Sequence, residues 1–298
     1  VTVIKKPEIA LSSTCIGNVD IKSLCEYAAA NNIRSIELSA NISFIPDEKL
    51  IEILKMYADR IGFHIHNYFP APKDHFVLNL AHPATYERSL EHCLKAVDLC
   101  SRLGIGVYSI HAGMAINPAV DDLGKSLSHY APIDFMKSRN LLITACHEIA
   151  DYALGKGVQI LIENNVVNEE NCVGNINNSY HFADPDDSEK LFPLFSHQNV
   201  GILVDFGHLK VNAANLGFEP YNFINLFKEK IKAVHLSDND GRYDQNLHIS
   251  EQSWFWPYLP WEQLEYISLE IKDCTPGLIE GQIELIEKQL NKYNAATV

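Results

Sequence analysis

The sequence predicts an α/β protein in which eight parallel strands, joined by helical segments, close into a single (β/α)8 barrel over residues 1–298. Three observations predict it. Short apolar, β-branched runs alternate with amphipathic stretches, which is the pattern of βα units and a parallel sheet. Eight such runs occur and none leads into a GxGxxG turn, so closure is favoured over an open doubly wound layer. No repeat, linker or low-complexity tract marks a second domain.

In order, the strand segments are 8–12, 33–39, 61–67, 106–111, 158–164, 200–206, 231–236 and 266–272. Helical periodicity covers 20–31, 47–59, 85–103, 133–154, 187–195, 221–229 and 276–293. Gly104, Gly157 and Asn199 each precede a strand, where a turn is needed. The acids of 184–189 read as a helix N-terminus. The long irregular stretches 67–83, 112–132, 165–185, 206–220 and 238–260 all follow strands. In a barrel they share one rim, the rim on which active sites are built.

Composition sets the partners. Of the residues 47% are hydrophobic and 21% charged, enough apolar material for a large core. The formal charge of −14 disfavours nucleic acid, whose binding draws on Lys and Arg. Seven cysteines form an odd, scattered set without a CxxC pair and read as reduced core thiols of a cytoplasmic protein. The segment VTVIKKPEIALSS lacks the apolar run of a secretion signal, and no stretch is long enough to span a membrane.

Polar residues suited to metal or substrate stand at the ends of most strand segments: Glu37, His66, His111, Glu163, Asp205, His235 and Glu270. Strand alternation sets Glu163 on the face of Leu161, against Ile160 and Ile162, and Glu270 on the face of Ser268, against Ile267 and Leu269. The carboxylates therefore point into the barrel mouth. Ser35, Ser109, Ala233 and Ser268 lie two residues below polar partners and are small, as a crowded interior requires. Two glutamates, an aspartate and a histidine converging on one rim suit a divalent cation, because three carboxylates in one cavity otherwise repel. The plainer alternative is that each acid caps a helix or pairs with a Lys or Arg. Four such residues in consecutive strands, two of them Glu where Ser or Asn caps better, weigh against it.

The motifs ILIENN (Glu163), VDFGH (Asp205, His208), AVHLSDNDGR (His235, Arg242) and SLEIK (Glu270) resemble the fifth to eighth strands of the xylose isomerase-like TIM-barrel superfamily. That group includes tagatose 3-epimerase-type sugar epimerases, inosose dehydratases, hydroxypyruvate isomerases and endonuclease IV. HNYFPAP and SIHAG sit where the family places rim residues, so the resemblance runs the length of the chain. It implies that Glu163, Asp205, His235 and Glu270 hold a catalytic divalent ion; three anionic oxygens and one imidazole suit Mn, Zn, Mg or Co, and His111 leaves a second ion open. It further implies that Glu163 and Glu270 move a proton, and that His208 and Arg242 bind substrate oxygens. Read on their own, His66 and His111 either contact substrate hydroxyls, hold Glu163 or bind a second metal, and Glu37 either reaches the substrate or pairs with a Lys or Arg inside the barrel. Endonuclease IV extends the framework to three zinc ions through histidines that His66, His111 and His208 match. Its third site needs an Asp-x-His pair where this chain has Asp240-Gly241-Arg242. A guanidinium has no lone pair for a cation but five donors for substrate oxygens.

Other residues carry competing readings. His64 is expected one layer deeper, as a hydrogen-bonded core histidine. His75, His92, His129, His147 and His197 are expected at the surface. Trp254, Phe255, Trp256, Tyr258 and Trp261 either close over a sugar ring, bury a contact in a homo-oligomer, or pack their own loop. Tyr68-Phe69-Pro70 is an apolar rim element, and the polar segment 171–181 has the composition of a lid. The function expected is metal-dependent isomerisation or epimerisation of a small sugar, sugar phosphate or related polyol carbonyl compound through an ene-diolate. The rivals are a dehydratase that opens the same way, a multi-metal phosphodiesterase, and a silent sugar-binding barrel.

Overall fold

A computed structural model of the chain describes residues 6–172 and 174–297. The first five residues of the segment VTVIKKPEIALSS, Val173 of the 171–181 segment, and Val298 lie outside them.

The strands are β1 (Glu8–Ser12), β2 (Ser35–Leu38), β3 (Gly62–His66), β4 (Val107–His111), β5 (Gln159–Glu163), β6 (Val200–Asp205), β7 (Ile231–Leu236) and β8 (Tyr266–Leu269). Each pairs in parallel with the next, and β1 pairs with β8, so the barrel is closed in sequence order. All eight expected strands are present. The paired segments are one to three residues shorter than most of the apolar runs, and Glu270 falls just beyond β8, its N–H donating to the Leu236 carbonyl at 3.1 Å.

The helices are α1 (Ile21–Ala30), α2 (Asp47–Tyr57), α3 (Tyr86–Leu103), α4 (Phe135–Leu154), α5 (Pro185–Glu189), α6 (Phe192–Phe195), α7 (Phe206–Leu216), α8 (Pro220–Phe227) and α9 (Pro276–Thr297). Local chemistry accounts for their ends. Asp20 accepts from the N–H groups of Lys22 and Ser23, and Asp134 from that of Lys137. Gly104 adopts the left-handed conformation that ends α3 (φ 71°) and returns the chain to β4.

Two expectations are corrected. The single helix over 187–195 is two short ones, because Pro193 has no N–H to carry a helix through from α5. The stretch 206–220 is not a loop: α7 starts directly after β6, with Asp205 serving as both last strand residue and helix cap. Gly207 permits this close turn, since a Cβ there would lie 2.5 Å from Ser237 Oγ.

Inside the barrel, Ala10, Val107, Leu161, Leu203, Ala233 and Tyr266 form a plug of apolar side chains. The larger core lies outside the barrel, where Ile36, Ile65, Ile110, Ile160, Ile162, Val204, Val234 and Ile267 meet the helices. A smaller cluster of Ile116, Leu127, Val167, Tyr180 and Ala183 supports the loops after β4 and β5. Strand alternation thus leaves the layer above the plug to polar residues. Among the described residues no helix is long and apolar enough to cross a membrane.

Candidate active site and metal centre

The polar layer is built by register. His111 pairs with Glu163, and Asp205 with His235, so their inward side chains sit side by side at the top of the barrel. His235 Nε2 lies 2.9 and 3.0 Å from the two oxygens of Glu37. A proton on Nε2 is held there, which leaves Nδ1 facing Glu270 Oε2 at 3.0 Å, Glu163 Oε1 at 3.5 Å and Asp205 Oδ2 at 3.6 Å. This is the arrangement by which a buried carboxylate orients a metal-binding histidine. Glu37 also accepts from Tyr266 Oη (3.1 Å) and Ser268 Oγ (3.0 Å). Its oxygens are occupied below the rim, so it stands behind His235 and not among the groups that face outward.

Glu163 joins two sets of donors. Its Oε1 faces His235 and the ring of His208, while its Oε2 lies 3.3 Å from His66 Nε2 and 3.1 Å from His111 Nε2. His66 is fixed in turn by a 2.9 Å hydrogen bond between Nδ1 and Ser109 Oγ. Candidate ligand atoms therefore gather as Glu163–Asp205–His235 and as His66–His111–Glu163. Glu270 adjoins the first set and is held by Thr14 Oγ1, which donates to its Oε1 at 3.1 Å.

Burial and charge oppose one another in this cavity. Both Glu163 oxygens and His235 Nδ1 are buried without a hydrogen-bond partner. Burial works to raise Glu37 and Glu163, but the neighbouring histidines outweigh it, holding Glu37 at about 2 and Glu163 well below the ordinary carboxylate range. Asp205 is raised by burial. Burial opposes charge on His235 and His208 too, yet the carboxylates around them raise both well above the usual imidazole value. His66, dominated by burial, is lowered. A divalent cation suits such a set of mutually opposed buried carboxylates and imidazoles. The orphaned oxygens and nitrogen fit such an ion.

Asp205 combines both readings offered for the strand-end acids. Its Oδ1 accepts from the His208 N–H at 2.7 Å, capping α7, and its Oδ2 faces the cavity. His208, one turn into α7, has Nδ1 on the Asn164 carbonyl at 2.8 Å and Nε2 3.6 Å from Asp244 Oδ2. Arg242 is not brought to this group: its side chain is 61% exposed and clasps Glu169 at 2.9 and 2.5 Å.

The site residues not anticipated are Asn164, whose Oδ1 accepts from the Asp205 N–H at 2.8 Å, Thr14, and Asp244. The ENN run pointed at Asn164 by adjacency to Glu163. Nothing local marks Thr14 or Asp244, which reach the site only through closure of the barrel and the path of the β7–β8 connection.

Of the remaining readings, His92 is corrected: it lies on the buried face of α3 and stacks on Tyr68 at 5.5 Å. Burial holds it down at about 4. His64 stacks on Tyr266 at 4.1 Å, one layer below the site. Phe255 and Trp261 are buried, and Phe206 packs on Trp254 and Phe255, so the aromatic cluster packs its own loop against α7. The end of the 171–181 segment is anchored: Tyr180 sits in the small cluster and His181 is fully buried.

The profile of the xylose isomerase-like TIM barrel matches residues 25–265. The chain belongs to that family. Among curated proteins none matches it. This xylose isomerase-like barrel has structural neighbours of low identity across almost its full length. A D-tagatose 3-epimerase-like protein is 18% identical, with 98% of this chain and 100% of that chain covered and a TM-score of 0.70. An L-ribulose 3-epimerase is 17% identical over 98% and 97%, also at 0.70. The 3-keto-D-glucoside 4-epimerase of E. coli is 13% identical over 95% and 99%, at 0.64.

Proposed function

We propose that the protein is a divalent-metal-dependent sugar isomerase or epimerase. The observation that carries this reading is the placement of Glu163 and Glu270 on either side of Asp205 and His235, with both Glu163 oxygens and His235 Nδ1 buried and unsatisfied. The epimerase neighbours support it through the shared fold.

Glu163, Asp205, His235 and Glu270 would hold the cation, with Mn or Zn the narrower choice, since three anionic oxygens and one imidazole suit a hard-to-borderline ion. When bound, it supplies positive charge that acidifies the C–H beside a sugar carbonyl. The residues do the rest. One glutamate takes that proton, and the other returns a proton to the opposite face or the neighbouring carbon of the ene-diolate. Glu37 keeps the His235 tautomer. His208 and His111, the latter more than a third exposed at the mouth, contact substrate hydroxyls, with His66 behind them.

The rim favours an uncharged sugar over a sugar phosphate. Two of its cations are already committed, Arg242 to Glu169 and Lys210 to Asp238 at 2.6 Å, and the mouth is lined by carboxylates. Arg242 would reach substrate by releasing Glu169. We place the enzyme in the cytoplasm without nucleic-acid or membrane partners, as a homo-oligomer or a monomer. The test is solvent-deuterium incorporation into a panel of ketoses, aldoses and their phosphates after Mn²⁺ reconstitution. Exchange into no carbon-bound position of any sugar overturns the reading.

A second reading rests on the His66–His111–Glu163 set, which suits an additional ion of the kind a phosphodiesterase uses. Metal content decides between them: one ion per chain favours the epimerase, and three favour the hydrolase.

A further inference from the structure

Cys15 and Cys274 come from opposite ends of the chain and meet behind Glu270. Cys15 is buried in the turn Ser13–Ile16 after β1, and Cys274 is half-buried between β8 and α9. Both sulfurs hold the same residue. Cys15 Sγ accepts from the Ile271 N–H at 3.2 Å and donates to the Leu269 carbonyl at 3.2 Å, while Cys274 Sγ donates to the Ile271 carbonyl at 3.4 Å. The two thiols thus flank one peptide unit, close enough for each to shift the other's acidity. Leu269 and Ile271 flank Glu270, and Thr14, next to Cys15, holds the Glu270 carboxylate. The thiol pair and the glutamate therefore share one short piece of backbone.

We propose that Cys15 and Cys274 are a peroxide-oxidisable thiol pair whose closure into a disulfide displaces Glu270 from the barrel mouth. In the first step the Cys274 thiolate attacks hydrogen peroxide, the O–O bond breaks, and Cys274 becomes a sulfenic acid as hydroxide leaves and takes up the thiol proton as water. In the second, the Cys15 sulfur attacks the sulfenic sulfur, the S–S bond forms, the S–O bond breaks, and a second water carries off the Cys15 proton. Two thiols are oxidised and one peroxide is reduced to two waters. The order follows access and charge: Cys274 is the more exposed and is lowered by the neighbouring Cys15 thiol, whereas burial raises Cys15. Closure removes the S–H that bonds the Leu269 carbonyl and draws the two turns together, so the peptides on both sides of Glu270 must shift. The effect on Glu270 rests on the metal-site reading above; the disulfide does not.

The test is peroxide treatment of the native protein, alkylation, and peptide mapping, alongside Mn²⁺ titration calorimetry. Free thiols should fall from seven to five, with a Cys15–Cys274 cross-linked peptide that dithiothreitol reverses. Mn²⁺ affinity should fall about tenfold or more on oxidation and return on reduction, the scale of a displaced ligand support. Cys274→Ser should lose the cross-link and keep its Mn²⁺ affinity under peroxide. Cys15→Ser should stop at a dimedone-trappable sulfenic acid on Cys274. Seven alkylatable thiols after peroxide, or a cross-link between other cysteines, overturns the pair. A correct cross-link with unchanged Mn²⁺ affinity overturns the displacement of Glu270. If the reduced protein binds no Mn²⁺, the metal reading fails and the displacement of Glu270 with it, while the mapped cross-link alone decides the pair.

Discussion

Glu163 and Glu270 differ in their surroundings although one ends β5 and the other directly follows β8. Glu163 is sealed among four histidines, and Glu270 is bonded on one side by Thr14 and 17% exposed on the other. Glu→Gln at either position keeps shape and one oxygen ligand but removes basicity. We expect turnover to drop by about 10²–10⁴ or more, with only partial loss of metal, measured by kinetics and calorimetry together. Near-wild-type conversion in both variants would reduce the two acids to ligands. Glu37→Gln, which cannot hold the His235 proton in the same way, should cost about 10–100-fold in metal affinity. The protons on His235 and His208 set the pH dependence. Both groups are raised by the carboxylates around them, so a cation that takes those carboxylates, and Nδ1 of His235, competes with protons. Metal affinity should therefore rise with pH and fall as pH drops, and calorimetry in buffers of different ionisation enthalpy should register proton release. A binding curve that does not change between pH 6 and 8 would contradict this.

At the level of elements, α7 couples fold to site. Asp205 Oδ1 caps the helix while Oδ2 faces the cavity. Asp205→Ala should lose both, costing about 1 kcal/mol of cap stability and the metal. Asp205→Asn keeps a good cap and relieves repulsion among the carboxylates, so it should melt at or above the metal-free parent yet show no shift on adding Mn²⁺. Equal metal-induced shifts in Asn and parent proteins would exclude Asp205 as a ligand. The sequence conceals this helix because no turn separates it from β6: its first residues read as the end of a strand and its N-cap as a ligand. Its signals, Asp205 at the start and Gly217 in the left-handed conformation at the end, are visible once the helix is known.

Across the whole molecule, a second polar group has the outline of a catalytic triad and the role of a staple. Ser138 Oγ lies 2.8 Å from His181 Nε2, and His181 Nδ1 lies 3.5 Å from Asp187 Oδ2. Ser138 and His181 are fully buried, and Ser138 gives its proton to the Ala81 carbonyl, so its oxygen accepts from His181 and is no nucleophile. Asp187 also takes Arg139 of α4 at 2.8 Å and the Phe182 N–H at 2.9 Å, tying α4, α5 and the loop after β5 together. Removing one partner leaves Arg139 half-sequestered and unpaired, so Asp187→Ala should cost about 3–5 kcal/mol in denaturant unfolding. Burial works to raise Asp187, but His181, the Phe182 N–H and Arg139 hold it below its ordinary value. The sign follows: its contribution is complete above the unfolded carboxylate value near 3.8 and is lost as pH falls from there through the lower folded value. Acid unfolding of Asp187→Ala should accordingly be less steep than that of the parent; equal acid slopes would contradict it.

The linear sequence determined the strands, their parallel order and the rim on which Glu163, Asp205, His235 and Glu270 gather. Those depend on local periodicity: alternation decides which face a strand residue takes, and one closed sheet turns every inward strand end to the same mouth. Tertiary structure alone decided the partners. Glu37 and His235 are far apart in the chain and meet because β2 and β7 face across the barrel; Thr14 and Cys15 reach Glu270 because β1 closes on β8. Arg242 lay within reach of the mouth by sequence, yet a nearby Glu169 on the neighbouring loop holds it outward. Periodicity carries no information about contacts between residues so distant in the chain, and it is those contacts that set which nitrogen of His235 carries the proton and which oxygens face the cavity.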